Sequence, residues 1–512
     1  MSSSRTVKTM KNISFTFANQ ILMLVLSFVS RTIFIRVLGV EYLGISGLFA
    51  DVLGLLSMAD LGINSAMAYS FYKPLAEKDY KKMAALTSFY KVIYNGIAIV
   101  VTFAGLLVTP FLRNIVNLER DIPNLEIYYL LSLAGIVVSY LCVYKTSVIV
   151  ADQNNYIVTK INMVINIVKT VLQIIFLLIV RNYIVFLMIS VAANIINNLI
   201  ASRKSEKMYP FIRNKEKLLR EEKREIFNNI KSMVVFKLSS VMLNATDNIL
   251  ISTIVGTIAV GYYSNYQLVM KKINVLYTTV FSSMVASIGN LIVKENAKKR
   301  YEIFRCELSI IFLISGVVVP CYTILINDLI RLWLGKNFIF DNVTVIAIAM
   351  NMYLSCVLQP VWSYREATGM FRKTKWVMFL CACLNIVLSI LLGYKIGIAG
   401  ILFASSISRL LTSFWIDPWL LYRDFFERSS KGYFKDMFIN FSIIVALIFG
   451  LGTVGSIYEV NNWIEMFIKS GIVFVICCLV TLGFYRKSEE TKIMVKRISG
   501  IANNFFVCFK KK

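Results

Sequence analysis

The 512-residue sequence contains no histidine and little recognisable catalytic chemistry. Without an imidazole, any mechanism that needs a histidine base, proton shuttle or metal ligand is excluded. No segment matches the GxxxxGK[ST] phosphate loop, which disfavours ATP hydrolysis by this chain. The nine cysteines form no CxxC pair and no other metal-ligand spacing. The sequence therefore predicts no enzyme, no metal site and no bound cofactor.

Charged residues are also scarce, at 16% of the chain, whereas 57% of the residues are hydrophobic. The apolar runs reach the length of about 20 residues that a helix needs to cross a bilayer. We therefore predict an all-α integral membrane protein with about fourteen transmembrane helices. The predicted spans are 12–36, 42–68, 84–110, 125–149, 156–180, 181–203, 229–255, 258–285, 300–325, 342–366, 373–395, 398–420, 434–456 and 463–485.

Acidic residues number 29 against 55 lysines and arginines, which gives a net charge of +26. The cations accumulate in alternate loops, which argues against a nucleic-acid partner and follows the positive-inside rule. The basic segments are 73–82, 203–224, 294–300, 372–375, 423–435 and both termini. Both termini are therefore predicted to be cytoplasmic and the number of spans even. The segment 487–512 is either an amphipathic helix on anionic membrane lipids or a solvated tail.

The chain repeats its membrane plan at an offset of 217 residues. At the first hairpin the letters also match, since VLGVEYLG at 37–44 returns as IVGTIAVG at 254–261. Parallel repeats are typical of transporters, whose substrate site lies at the repeat interface near the membrane midplane. We predict a first lobe at 1–215, a second lobe at 216–430, and an additional hairpin with the basic tail at 431–512.

Polar residues recur at helical spacing inside five of the predicted spans. An ionisable side chain at bilayer depth costs about 2.5–3.5 kcal/mol, so it rarely faces lipid without a reason. We predict that these stripes face one water-filled cavity; the alternative is that each forms a helix–helix interface. The stripes are Thr16, Gln20, Ser27 and Arg31; Asn162, Asn166, Lys169 and Gln173; Lys237, Ser240, Asn244 and Asp247; Gln267, Lys271, Asn274, Thr278 and Ser282; and Ser405, Arg409, Ser413 and Asp417.

The sign of the charges in these stripes indicates the class of substrate. Asp60, with Ser57 and Asn64 on its face, and Asp247 are the two acids near the midplane. A surplus of cations attracts an anion, and lysine and arginine are natural partners of phosphate or pyrophosphate. The predicted substrate-binding cations are Arg31, Lys169, Lys237, Lys271 and Arg409. The predicted polar lining is Asn162, Asn166, Gln173, Asn244, Gln267 and Asn274.

Other side chains are predicted to have different roles. Lys272 lies about 100° from Lys271 on an ideal helix and is not expected in the cavity. Arg365 lies near an inner helix end, where snorkelling to the interface is expected. Tyr266, near the outer mouth, either stacks on sugars or belongs to an interfacial aromatic belt. Pro320 and Pro360 are either hinges or tolerated bends.

Three stretches carry a family resemblance that covers essentially the whole chain. They are ADLGINSAMAYSFYKPLAEKDYKKM at 59–83, VLGVEYLGISGLF at 37–49 and CLNIVLSILLGYKIGIAGILFASSISRLL at 383–411. These stretches resemble the polysaccharide-transport branch of the multidrug/oligosaccharidyl-lipid/polysaccharide exporter superfamily, which contains the Wzx-type oligosaccharide flippases.

The resemblance implies a V-shaped, MATE-like pair of six-helix lobes that works by alternating access. Such proteins carry an undecaprenyl-pyrophosphate-linked oligosaccharide across the bacterial cytoplasmic membrane for O-antigen, capsule or related polysaccharides. Coupling to H⁺ or Na⁺ is common, and Asp60 and Asp247 would be the coupling carboxylates here. The expected partners are this lipid-linked substrate, membrane lipids and polysaccharide assembly proteins, and the expected state is a monomer.

Three other functions stay open from the sequence. A flippase for the lipid-linked peptidoglycan precursor would have the same cationic cavity. A cation-coupled multidrug exporter would prefer acidic cavity residues, which the five cations oppose. A membrane-embedded glycosyltransferase or polymerase is opposed by the short predicted external loops and by the lack of histidine.

Overall fold

The computed structural model describes residues 22–57, 77–118, 122–152, 154–214, 216–455 and 459–486, with isolated positions between 67 and 75. Within these ranges the chain forms helices and no strand. The helices are α1 (22–38), α2 (Val40–Leu56), α3 (Tyr80–Val108), α4 (Leu125–Tyr140), α5 (Val143–Ala151), α6 (Asn155–Val180), α7 (Tyr183–Met208), α8 (Arg220–Ile254), α9 (Thr257–Lys294), α10 (Ala297–Leu334), α11 (Asn342–Val357), α12 (Gln359–Thr368), α13 (Phe371–Leu411), α14 (Ser413–Leu421), α15 (Lys431–Gly455) and α16 (Trp463–Tyr485).

The predicted all-α, multi-pass membrane fold is confirmed. By length and composition, seven helices of the described part can cross a membrane, or nine if each of two bent pairs counts as one span. The two pairs occupy equivalent places in the repeat, since α4 and α11 begin 217 residues apart. The α4–α5 pair bends by 48° and the α11–α12 pair by 44°. Pro360 stands in the first turn of α12, where its missing N–H costs no helical hydrogen bond. The number fourteen stays a prediction.

Helix starts follow the 217-residue offset. The equivalent starts are Val40 and Thr257, Tyr80 and Ala297, and Leu125 and Asn342. The caps also correspond, since the Asp79 carboxylate accepts from the Lys82 N–H and the Asn296 amide oxygen accepts from the Lys299 N–H, both at 2.9 Å. A side-chain oxygen at this position satisfies one of the free N–H groups of the first turn. The two repeats therefore use the same local signals.

The chain divides within α9 into two compact units, Met1–Ser264 and Asn265–Lys512. In the first unit, the two equivalent hairpin turns lie against each other. Gly39 and Gly256 both adopt the positive φ that favours glycine. A Cβ at Gly44 would lie 2.1 Å from the Thr257 carbonyl oxygen, and a Cβ at Gly261 would lie 2.6 Å from that of Val40. The repeated glycines thus allow two backbones to approach closely.

The terminal hairpin, α15 and α16, packs on α10 in the second unit. Polar contacts join them along most of α10. Arg305 pairs with Asp436 of α15, and Asp328 accepts from Lys469 of α16 at 2.8 Å. Between these ends, Asn440 bonds to Ser315 at 3.2 Å. The hairpin is therefore an integral part of the second unit.

Pro320 lies inside α10, and a side chain of α16 contacts the carbonyl group that loses its helical hydrogen bond there. A proline removes the N–H that would bond to the carbonyl four residues earlier, here that of Gly316. The Thr481 hydroxyl of α16 lies 3.3 Å from this Gly316 oxygen and 2.6 Å from the Cys477 carbonyl oxygen of its own helix, and it shares its single proton between them. A Cβ at Gly316 would lie 2.6 Å from Thr481 Cγ2, so glycine is what lets the hydroxyl reach the backbone. The second helix of the hairpin thus brings a hydroxyl close to the carbonyl that loses its helical partner at Pro320.

Candidate functional site

Ten of the thirteen predicted site side chains lie in the described part of the chain. Asp60 and the side chains of Lys237 and Asn244 lie outside the described residues. The first unit holds Arg31, Asn162, Asn166, Lys169, Gln173 and Asp247, and the second unit holds Gln267, Lys271, Asn274 and Arg409. A cleft shared by two lobes stays a prediction.

The second unit brings three helices together around Tyr277 of α9. The Tyr277 hydroxyl donates to Asn274 Oδ1 at 2.5 Å and lies 3.0 Å from Ser355 Oγ of α11. Arg409 of α13 is close enough to Tyr277 to interact with it electrostatically. We call these four residues the Tyr277 network. It contains the predicted site residues Asn274 and Arg409, which lie on different helices. Its other members, Tyr277 and Ser355, were not predicted from the sequence.

Lys271 extends this polar face of α9 by one turn. Its ammonium group donates to Gln267 Oε1 at 2.9 Å, and its side chain is exposed. Gln267, Lys271 and Asn274 follow each other at helical spacing, so the eighth-span stripe is one continuous face. Two cations, two amides and the Ser355 hydroxyl are thus partly accessible in the second unit for a charged, hydrogen-bonding ligand, whereas Tyr277 is buried and orients Asn274.

The stripe of the twelfth span does not behave as one surface. Ser405 is buried and accepts from Asn385 Nδ2 at 2.8 Å, which joins the two halves of α13. Asp417 is buried at the other end of the stripe. Arg409, between them, is half-buried. The two ends of the stripe therefore lie in helix–helix interfaces, as the alternative interpretation requires. Arg409 is the charged residue of this stripe that stays partly accessible.

Snorkelling predicted for Arg365 is wrong. Its guanidinium donates to Asp417 Oδ2 at 2.6 Å, and the side chains are only 11% and 1% exposed, respectively. Two charges taken out of water need each other, because an unpaired buried charge is strongly destabilising. Arg365 and Asp417 therefore form a structural ion pair between α12 and α14.

In the first unit, Arg31 of α1 donates to Ser264 Oγ of α9 at 2.7 Å. Asn162, Asn166 and Lys169 lie half-buried on one face of α6. Gln173, one turn further, is buried and donates to the Phe186 carbonyl and to Ser190 Oγ of α7, at 3.1 and 2.7 Å. Its amide serves the α6–α7 interface, as the alternative interpretation of the stripe requires.

Asp247, the remaining predicted residue, lies half-buried on α8, and nothing in its position tests a role in ion coupling. Within the described residues, no three Cys, Asp or Glu side chains come together as a metal site. Tyr266 does not offer its ring to a ligand, because it is buried, stacks on Phe340 and donates to Asn327 Oδ1 at 2.6 Å.

Sequence reasoning missed three polar residues of the second unit. Tyr277 falls three residues after Asn274 on the same face of α9, so the spacing contained the signal. Ser355 belongs to another helix, and its place in the network depends on tertiary packing. Glu307 of α10 is an acid inside an apolar stretch. No polar residue lies one helical turn before or after it, so it belongs to no polar stripe.

Comparison with known proteins agrees with this architecture. The model of a family described as "Polysaccharide biosynthesis protein" matches residues 9–286. No curated protein matches the chain. Among solved structures, the inward closed conformation of the lipid II flippase MurJ is similar with a TM-score of 0.66 at 14% identity, covering 93% of this chain and 99% of that one.

Two further solved structures belong to the MOP superfamily. An inward-facing multidrug resistance MATE family transporter has a TM-score of 0.58 at 13% identity, covering 77% of this chain and 93% of that one. A transporter from Pyrococcus furiosus, described as having a binding pocket of reverse polarity, has a TM-score of 0.53 at 12% identity, covering 79% and 92%. These likenesses concern the fold. The family match spans more than half of the chain, and the chain therefore belongs to the polysaccharide biosynthesis protein family, with the fold of the MOP-superfamily flippases and exporters.

Proposed function

We propose that this protein is a flippase that moves undecaprenyl-pyrophosphate-linked oligosaccharide units across the bacterial cytoplasmic membrane by alternating access. The observation that carries the proposal is the polar face of the second unit, where Lys271 and Arg409 accompany the Asn274–Tyr277–Ser355 hydrogen bonds. Cations are suited to a pyrophosphate, and amides and hydroxyls are suited to sugar hydroxyls.

The charge of the candidate residues supports an anionic head group. A cationic side chain at membrane depth is costly, and a cavity with surplus positive charge attracts an anionic ligand. Lys169 and Arg31 add cations in the first unit. In this proposal the lipid tail stays in the bilayer while the head group crosses, so the protein acts as a transporter without catalytic chemistry.

The proposal includes an orientation and partners. Both termini face the cytoplasm, because the basic loops lie on that side by the positive-inside rule. The protein works as a monomer among membrane lipids and receives its substrate from polysaccharide assembly proteins. An H⁺ or Na⁺ gradient drives transport through Asp60 and Asp247.

A second candidate is transport of the lipid-linked peptidoglycan precursor. The solved flippase with a TM-score of 0.66 is named for lipid II, and that lipid also offers a pyrophosphate to a cationic site. A multidrug exporter, the other activity named among the similar structures, fits less well because cationic drugs would meet Lys271 and Arg409.

The test is translocation in proteoliposomes of a fluorescent undecaprenyl-pyrophosphate oligosaccharide, followed by quenching of the probe that remains outside. We expect the wild type to move the lipid and Arg409→Ala to lose most of this activity. Lys272→Ala is the matched control, since it removes a neighbouring cation and is expected to transport normally. Failure of the wild type with several sugar head groups would refute the proposal, as would normal transport by Arg409→Ala.

A further inference from the structure

Glu307 is a buried acid outside the candidate site. It lies on α10, is 1% exposed, and neither of its carboxyl oxygens has a hydrogen-bond partner among the described residues. Phe304 and Ile311, three residues before and four residues after Glu307, share its face of the helix and are equally buried. A carboxyl group in these surroundings cannot be explained by packing alone.

The surroundings of Glu307 are aromatic. Tyr364 of α12 interacts with it electrostatically. The Phe304 ring meets the rings of Tyr364 at 5.2 Å and Phe426 at 5.0 Å, both centroid to centroid. The hydroxyl of Tyr422 is also buried without a hydrogen-bond partner in the described part of the chain. Tyr364 and the rings that pack on Phe304 thus give this side of α10 an aromatic character.

Charged groups near this part of α10 bind elsewhere. Arg305 pairs with Asp436, Arg365 pairs with Asp417, and Arg300 donates to the Ile292 carbonyl. Within two helical turns of Glu307, the titratable or charged side chains of α10 itself are Arg300, Tyr301, Glu302, Arg305 and Cys306. The elements packed against α10 add, among others, Tyr353 and Cys356 of α11; Tyr364, Arg365 and Glu366 of α12; Asp417 of α14; Tyr422, Arg423 and Asp424 of the turn after α14; Tyr433, Lys435 and Asp436 of α15; and Tyr485 of α16.

Burial decides between the two charge states of this carboxyl group. An ionised carboxylate without a cation or hydrogen-bond donors is so costly in an apolar environment that the group takes up a proton instead. A divalent metal ion would need several oxygen ligands, and the described residues bring no three acidic or thiol side chains together.

We propose that Glu307 is a proton-binding site of the second unit, which holds its proton while α10 and α12 are packed as in this structure. The carboxyl group can ionise only when water or a cation reaches it, so release of the proton requires these helices to separate. A conformational cycle that opens this region would therefore exchange one proton. The link to transport rests on the proposed flippase function; the protonation itself does not.

Infrared spectroscopy of the purified, full-length protein at pH 7.5 tests the protonation. A protonated carboxylic acid has a carbonyl stretching band that a carboxylate lacks, and a water-exposed glutamate, with a pKa of about 4.3, is ionised at this pH. We expect such a band with a component that Glu307→Gln removes, while any component from Asp60 or Asp247 remains. Glu302→Gln, which changes an exposed glutamate on the same helix, should leave the band unchanged. A wild type without the band, or a band that Glu307→Gln leaves undiminished, would overturn the proposal.

A second measurement distinguishes a neutral acid from a carboxylate held by a bound ion. Glutamine resembles a protonated glutamate in shape and charge, so Glu307→Gln should keep the wild-type unfolding temperature at pH 7.5. A large loss of stability on this substitution would show that the negative charge is needed, which contradicts the proposal.

Translocation under an imposed pH gradient tests the consequence for transport. The wild-type rate should respond to the pH gradient, and Glu307→Gln should respond less, with the remaining response carried by Asp60 and Asp247. A response as large in the variant as in the wild type would remove Glu307 from coupling. If the wild type moves no lipid at all, the flippase proposal fails, and the infrared experiment still decides the charge state of Glu307.

Discussion

Polar side chains inside the apolar helices of this protein fall into two groups. Some are buried and bond to other residues of their unit, and others stay partly accessible. Gln173 and Asp417 are buried and spend their bonds within their own unit. Lys271 and Arg409 stay partly accessible. Because an exposed charge at membrane depth is retained only for a reason, the accessible cations are the better candidates for function.

Arg409 should contribute to substrate binding through both its charge and its planar fork. Losing a hydrogen bond to a charged group costs about 1.5–3 kcal/mol, so Arg409→Ala should weaken binding of the pyrophosphate lipid about 10- to 100-fold. Arg409→Lys should recover only part of the loss, because an ammonium cannot donate two parallel bonds. The half-saturating lipid concentration for translocation measures this. Equal values for all three proteins would contradict the role.

The Arg365–Asp417 pair should be structural. Asp417→Ala leaves a buried guanidinium unpaired, so the free energy of unfolding should fall by about 3–5 kcal/mol. The double variant Arg365→Met/Asp417→Leu removes both charges and should recover most of this loss. Unfolding temperatures in detergent provide the measurement. If the double variant is as unstable as Asp417→Ala, the unpaired guanidinium is not the cause of the lost stability, and the prediction is wrong.

At the scale of elements, two pairs of equivalent helix junctions repeat a local chemical signal. Asp79 and Asn296 cap equivalent helices, and Gly39 and Gly256 make equivalent turns. These features were predictable from sequence because they depend on neighbouring residues. The contact of Thr481 with the Gly316 carbonyl, near Pro320, was not predictable from sequence, because the two residues are 165 positions apart.

Gly316 and Thr481 should be energetically coupled. Gly316→Ala places a methyl group 2.6 Å from Thr481 Cγ2 and should destabilise the protein by about 1–3 kcal/mol, the usual range for overpacking. Thr481→Ser keeps the hydroxyl and removes this methyl group, so it should relieve much of the cost in the Gly316→Ala background. A double-mutant cycle of unfolding free energies measures the coupling. Additive effects would contradict the contact.

The start of α8 should show a pH-dependent contribution to stability. Lys82 bonds to Glu222 at 2.8 Å, and this hydrogen bond is the main cause that lowers the pKa of the Glu222 carboxyl below its usual value. The stabilisation is therefore present above about pH 4.3 and is lost as the pH falls through the lower folded-state pKa.

Because both side chains of this pair are partly exposed, the contribution should stay below about 1 kcal/mol. Unfolding temperatures between pH 3 and 7 test it. The difference between the wild type and Glu222→Gln should shrink toward the acid end. Glu221→Gln, at the neighbouring exposed position, is the control; a difference that is independent of pH would contradict the assignment.

At the scale of the whole molecule, the sequence allowed the fold to be predicted better than the site. Span positions and the 217-residue repeat follow from hydropathy and local motifs, and the helix starts confirm the offset. The site depends on which face of each helix meets a neighbour. Periodicity alone did not separate Gln173, which bonds to α7, from Lys169, which lies one turn away. It also passed over Glu307, whose importance comes from what surrounds it.

The most direct measurement offers three substrates to the same proteoliposomes: an undecaprenyl-pyrophosphate oligosaccharide, the lipid-linked peptidoglycan precursor and a cationic dye. An anion-selective lipid flippase should move the oligosaccharide fastest, and the dye should neither cross nor compete. Faster transport of the peptidoglycan precursor would reassign the substrate within the same mechanism. Transport of the dye without inhibition by either lipid would contradict the account.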